Sequence, residues 1–226
     1  MAAGIPTPVK PAFTVPTPPP LEMGAAQALW APVTRTVLAR RAPSVDAPAI
    51  APLEVRTPEG TSNLVLLAGT AGASARAWVR VRLPVLPNNT TGWVPRSALG
   101  GLVPVDTHLV VDLRRLRAEL FRSGHRIYEA PVGVGASEAP TPRGEFYVRD
   151  KLTSFDNSFY GPVAFGTSAR SAVLTDWPDG GYIGIHGTNE PQLIPGRISH
   201  GCIRMRNDDI LRLASLMPVG TPLTIR

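Results

Sequence analysis

The order of apolar and polar positions divides the chain into three stretches. In residues 1–31, Pro6, Pro8, Pro11, Pro16, Pro18, Pro19 and Pro20 interrupt any periodicity. Repeated prolines fix φ and remove backbone donors, so an extended, polyproline-like linker or arm is expected there. From 32 to 100 the pattern becomes one of short strands. Thr34–Leu38 alternates, and Asn63–Leu67 is apolar and stops at Gly69. Trp78–Leu83 also alternates, with apolar residues inward and Arg80 and Arg82 outward. The polar run Asn88-Asn89-Thr90-Thr91 reads as a turn before Gly92-Trp93-Val94-Pro95. From 105 to 226, strands are expected over His108–Leu113, Arg117–Phe121, Ile127–Gly133, Glu145–Val148, Tyr182–His186 and Leu223–Ile225. One helix stands out. Asn207 is placed to cap it, and Asp208 and Asp209 complement its dipole. Ile210, Leu211, Leu213, Ala214 and Met217 give it an apolar face, and Pro218 and Gly220 end it. The expected fold is mainly β: a small barrel-like domain, then a larger β domain with one C-terminal helix.

Composition narrows the function. Of the 226 residues, 43% are hydrophobic, enough for a core. The net charge of +6 is carried almost wholly by arginine, since Lys10 and Lys151 are the only lysines. No arginine run with interleaved aromatics points to nucleic acid. No stretch approaches the roughly 20 apolar residues of a membrane span. The N-terminus lacks the basic start and apolar run of a signal peptide. Monomer is the default expectation. A single cysteine, Cys202, excludes an intramolecular disulfide and a multi-thiolate zinc site. The triplets in Asn88–Thr91 that resemble glycosylation sites are read as accidental.

The chemistry gathers around that cysteine. A thiol attacks a carbonyl well once ionised, which an imidazole within hydrogen-bond reach promotes. Two histidines are candidates. His200 lies two positions before Cys202, on the same face if the segment is extended. His186 ends an expected strand, and the loop Gly187–Arg197 can bring the chain back beside it. Tyr160, Phe165, Trp177 and Tyr182 either line a groove or, more commonly for aromatics in a β domain, fill the core.

His186-Gly187, a loop, and then Ser199-His200-Gly201-Cys202-Ile203-Arg204 resemble the signature of the L,D-transpeptidase (YkuD-type) catalytic domain. Thr141-Pro142-Arg143-Gly144-Glu145-Phe146 resembles that family's Thr-Pro-x-Gly turn. The resemblance runs over roughly residues 106–226. It implies a β-sandwich of that type over 105–226. The segment Gly92–Leu99 resembles the close of a bacterial SH3-like domain over 32–100, for which wall binding is one hypothesis.

Carried over, the resemblance makes Cys202 the nucleophile and His186 its base. The Gly187 carbonyl would fix the His186 tautomer. Backbone N–H groups around Gly201 and Cys202 would form an oxyanion hole. Ser199 would brace the loop, His200 would add a polar contact, and Arg204 would support the loop or meet a substrate carboxylate. The implied reaction is acyl transfer between peptidoglycan stem peptides, as donor and acceptor, giving 3→3 crosslinks with no cofactor and no metal. Carbapenem β-lactams are the implied inhibitors, and an extracytoplasmic place in the cell wall or periplasm is implied. Three rivals stand beside this reading: a thiol hydrolase or L,D-carboxypeptidase on the same stems, a non-catalytic wall-binding protein, and a zinc hydrolase using His186, His200 and Cys202. The last lacks a convincing fourth ligand.

Overall fold

The computed structural model describes residues 28–69, 78–153, 158–174 and 181–226, so most of the proline-rich arm and Trp177 lie outside the described residues. Two sheets account for the strands. The first contains β1 (Ala28–Pro32), β2 (Val37–Arg40), β3 (Ala49–Leu53), β4 (Leu64–Gly69), β5 (Trp78–Arg82), β6 (Thr91–Pro95) and β7 (Val103–Val105), in the order β3-β2-β6-β5-β4-β1-β7. This ladder is open, with β3 and β7 at its edges. Ala31, Val33, Ala39, Val65, Val79, Val81 and Val94 form its core.

The second sheet contains β8 (Thr107–Asp112), β9 (Arg117–Arg122), β10 (His125–Pro131), β11 (Gly133–Gly135), β12 (Gly144–Leu152), β13 (Ala164–Arg170), β14 (Tyr182–His186), β15 (Gly196–Ser199), β16 (Ile203–Arg204) and β17 (Pro222–Ile225). Its order is β10-β9-β8-β17-β12-β13-β14-β16-β11-β15. The helix α1 (Asn207–Leu216) packs Ile210 and Leu213 into the same core as Leu109, Phe146, Val148, Ile183, Ile185 and Ile203. Burying such a side chain fully is worth about 1.5–3 kcal/mol. Leu211, assigned to the apolar face by periodicity, is instead 48% exposed.

The two sheets are tied by hydrogen bonds that alternation does not reveal. Asn88 donates from Nδ2 to the Arg170 carbonyl at 2.8 Å and accepts the Arg170 N–H on Oδ1 at 2.9 Å. Its amide thereby substitutes for a strand partner at the end of β13. Asn89 accepts the Glu145 N–H at 2.7 Å. Asparagine suits this work, since its side chain carries the peptide's own donor and acceptor pair. Arg82, expected outward, is buried and donates to the Glu145 carbonyl at 3.2 Å, because its face of β5 looks onto β12 rather than solvent. Arg149, whose side chain is 1% exposed, meets both oxygens of Glu59 at 2.9 and 3.0 Å. Trp30, Leu64, Leu66, Tyr147 and Val219 make an apolar cluster across the same junction. Among the described residues, no helix is long and apolar enough to cross a membrane.

Candidate active site

Pairing within the second sheet brings the sulfur and an imidazole together. β14 and β16 are parallel, with Ile185 opposite Ile203 and His186 opposite Arg204. Side chains alternate along both strands, so Gly184, His186, Cys202 and Arg204 share one face. The Gly184 N–H donates to Cys202 Sγ at 3.3 Å. A Cβ built on Gly184 would stand 3.8 Å from Cys202 Sγ and 3.8 Å from His186 Cδ2, so both side chains border one bare backbone position. Cys202 is partly exposed, whereas His186 is 2% exposed.

The tautomer of His186 follows from its partner. Nδ1 lies 2.6 Å from the Gly187 carbonyl oxygen. A carbonyl can only accept, so Nδ1 carries the proton and Nε2 keeps a lone pair. Nε2 is bonded to Cδ2, the ring atom that faces the Gly184 position, as Cys202 Sγ does. Burial pushes the His186 pKa down to about 4, the Gly187 hydrogen bond opposes that, and the Arg204 cation adds to it. Burial pushes the Cys202 thiol up, against the lowering effects of the Gly184 N–H and Arg204. At neutral pH the resting pair is therefore a thiol beside a neutral imidazole. A resting thiolate is not what these surroundings favour, because burial disfavours both charges.

The loops around the pair are held by named bonds. Ser199 donates from Oγ to the Cys202 carbonyl at 2.5 Å and accepts the Gly201 N–H at 3.1 Å. That engages one of the N–H groups expected to bind an oxyanion. Thr141 accepts the Gly135 N–H at 2.8 Å and donates to the Gly201 carbonyl at 2.7 Å, linking the Thr-Pro-Arg-Gly turn to the cysteine loop. Gly201 has φ of +118°, a left-handed value that favours glycine and breaks the extended run between His200 and Cys202. His200 is exposed.

Asn207 does not cap α1. Arg206 occupies that position, and Asn207 is the first helical residue. The Asn207 side chain is used elsewhere: Oδ1 accepts the Thr188 N–H at 2.9 Å. Gly161 and Gly187 pack so closely on Asn207 Oδ1 that a Cβ on either would stand 2.4 Å from it. Asn207 therefore pins the peptide whose carbonyl orients His186. The wall beside the imidazole is aromatic. The Tyr160 ring meets the His186 ring edge-on, with centroids 4.9 Å apart, and Phe159 lies at 6.1 Å. Arg204 stacks 4.4 Å over Phe159 and pairs with Glu190 at 3.3 Å. Of the other aromatics, Phe165 is core, and the Tyr182 ring meets the Arg149 and Arg170 guanidinium groups at 4.0 and 4.6 Å. No three His, Cys, Asp or Glu side chains converge as a metal site among the described residues.

Sequence reasoning passed over Asn207 as a clamp, and over Thr141, Gly184 and Phe159. A Gly in an apolar strand and a Thr before a Pro were visible signals, but neither has a direction until the strands are paired.

Residues 106–225 match the YkuD family, the L,D-transpeptidase catalytic domain. This chain belongs to that family. The L,D-transpeptidase family includes the putative L,D-transpeptidase YkuD of Bacillus subtilis, which is 33% identical over 118 residues, 52% of this chain and 65% of that relative. The probable L,D-transpeptidase YbiS of Escherichia coli K12 is 54% identical over 144 residues, 53% of this chain and 45% of the relative. This chain thus spans less than two thirds of either. An L,D-transpeptidase from Mycobacterium tuberculosis H37Rv superposes with a TM-score of 0.45 at 17% identity, over 73% of this chain and 90% of that one.

Proposed function

We propose that this protein is a peptidoglycan L,D-transpeptidase in which Cys202 is the nucleophile and His186 the general base. One observation carries the reading: the Nδ1 proton of His186 is committed to the Gly187 carbonyl, and the opposite ring edge faces the same Gly184 position as Cys202 Sγ. Membership of the family supports it.

In the first half-reaction, Sγ bonds to the carbonyl carbon on the carboxyl side of an L-configured centre in a tetrapeptide stem. The thiol proton passes to His186 Nε2 as attack proceeds. The C–N bond to D-Ala breaks, and Nε2 returns the proton to the leaving amine. In the second, the amine of another stem bonds to the thioester carbon and the C–S bond breaks. His186 moves the amine proton to sulfur. Because the resting pair is neutral, proton transfer accompanies bond formation. Arg204 favours the developing thiolate and, by the same charge, keeps His186 Nε2 unprotonated beforehand. Donors aimed at the oxyanion are the largest expected contribution, about 3–4 kcal/mol for one N–H.

Four further points complete the proposal. A carbapenem acylates the same sulfur through its strained amide. The protein acts outside the cytoplasm, where its polymer lies, and as a monomer, since one chain supplies the whole site. The first sheet is an SH3-like wall-binding module, on the strength of the Gly92–Leu99 segment. The test is intact mass after incubation with a disaccharide-tetrapeptide. The wild type should gain the tripeptide acyl group and yield crosslinked dimer, and Cys202→Ala should do neither. A trimmed stem without dimer would assign water as acceptor, and an unmodified wild type would sink the proposal.

A further inference from the structure

Gly184 sits mid-strand between two buried isoleucines, Ile183 and Ile185. Glycine inside a strand weakens it, and marks a bulge, a close approach of other protein atoms, or a close approach of a ligand. The other described strand glycines of this sheet have a reason within the protein. A Cβ would stand 2.7 Å from Ile198 at Gly133, 2.3 Å from the Ala139 carbonyl at Gly135 and 2.5 Å from Asn89 at Gly144. It would stand 2.4 Å from Asp150 at Gly166, the residue directly opposite Gly184, and 2.6 Å from the Leu193 carbonyl at Gly196.

Gly184 has no such reason. Its φ is not among the positive values. A Cβ there would meet the Phe165 carbonyl at 3.6 Å, and Cys202 Sγ and His186 Cδ2 at 3.8 Å, all ordinary contacts. The position is partly exposed, and two of its three neighbours are the reacting groups. A Cβ would therefore fit the fold while standing next to both the sulfur and the imidazole.

We propose that Gly184 is a specificity-determining residue, whose bare backbone is the floor on which an extended peptidyl donor lies flat as its carbonyl carbon reaches Cys202 Sγ. This rests on the acyl-transfer reading and adds the substrate's orientation to it: the donor main chain crosses β14 at Gly184. The Gly184 N–H that reaches the sulfur is retained in any non-proline variant, so the expected effect is steric rather than a change in the thiol.

The experiment uses the full chain as Gly184→Ala and Gly184→Val, with melting curves to confirm folding. Intact mass follows Cys202 labelling by iodoacetamide, which is small, and by N-phenylmaleimide, which is broad, alongside acylation by the disaccharide-tetrapeptide. Iodoacetamide should label all three proteins within about threefold, whereas maleimide labelling and acylation should fall about tenfold with alanine and about a hundredfold with valine. If valine unfolds the chain, alanine, which meets only ordinary contacts, decides alone. Wild-type rates with both broad reagents in the variants, or an equal fall for iodoacetamide, would overturn the proposal. A wild type that no tetrapeptide acylates, yet whose labelling still depends on reagent size at position 184, would overturn the transpeptidase reading and leave the floor standing.

Discussion

His108 and His186 are both held near a pKa of about 4 by burial, yet only His186 shares a strand face with Cys202. Their hydrogen bonds explain the division of labour. His108 contacts Thr224 Oγ1 through Nε2 at 2.8 Å, and Thr224 gives its own proton to Glu145 at 2.8 Å. The hydroxyl must then accept from Nε2–H, so His108 holds the tautomer opposite to that of His186. Its polar edge is spent joining β8, β17 and β12. A displaced pKa therefore does not mark a reactive group by itself. What distinguishes His186 is that its unprotonated nitrogen adjoins Cδ2, the ring atom that faces the Gly184 position, which Cys202 Sγ also faces.

The sharpest way to break this contrast is to remove each ring. His186→Gln should lower acylation of Cys202 by about 10²–10⁴-fold, whereas His108→Gln should leave acylation per folded molecule unchanged. Equal losses in single-turnover mass assays would erase the distinction. Next in size is the support of His186. Asn207→Ala releases the Thr188 peptide and should cut the acylation rate about tenfold to a hundredfold, in kcat rather than KM. Asn207→Asp keeps the acceptor oxygen and should restore most of it. A loss shared by both variants would assign Asn207 to the helix alone. Smaller still is the structural role of His108. His108→Ala leaves Thr224 without a donor and should cost about 1 kcal/mol of stability, read as a lower melting temperature with unchanged chemistry. An unaltered melting curve would argue against the network.

A further effect is shared by both rings. Each has a folded pKa of about 4, below its ordinary 6.5, so the unfolded chain binds more protons between those values. The stability each contributes is complete above pH 6.5 and is lost as pH falls toward and through 4. Denaturation midpoints measured across that window should slope less steeply in either substitution. Activity separates the two again, because the acid limb of the acylation rate near pH 4 should vanish only with His186.

What the sequence disclosed depended on how local the cause was. Tyr182–His186 announces itself by apolar residues and a terminal histidine, and the helix by its period. The two-residue β16 has no pattern of its own. It exists because Ile203 and Arg204 pair in parallel with Ile185 and His186 from an earlier segment, and no window along the chain contains both. β13, with Gly166, Thr167 and Ser168, lacks alternation for the same reason: it is buried between two strands, and its glycine makes room for Asp150. Asn207 was misjudged because an asparagine before two aspartates satisfies the local grammar of a cap, while its real partner, Thr188, lies on another loop. Arg82 followed alternation and was still buried, since alternation names a face and not what covers it. Cys202 and His186 stood out as candidates through a family signature rather than through any physical pattern.

The Asn88 side chain, bonded twice to the main chain of Arg170, has a practical consequence for anyone wishing to isolate the chemistry. A fragment beginning at residue 106 would carry the whole family match, but the amides of Glu145 and Arg170 would lose their acceptors, Arg149 its Glu59 counter-ion and Tyr147 its hydrocarbon cover. A stable fragment is therefore expected to begin upstream of residue 106, on the far side of that seam.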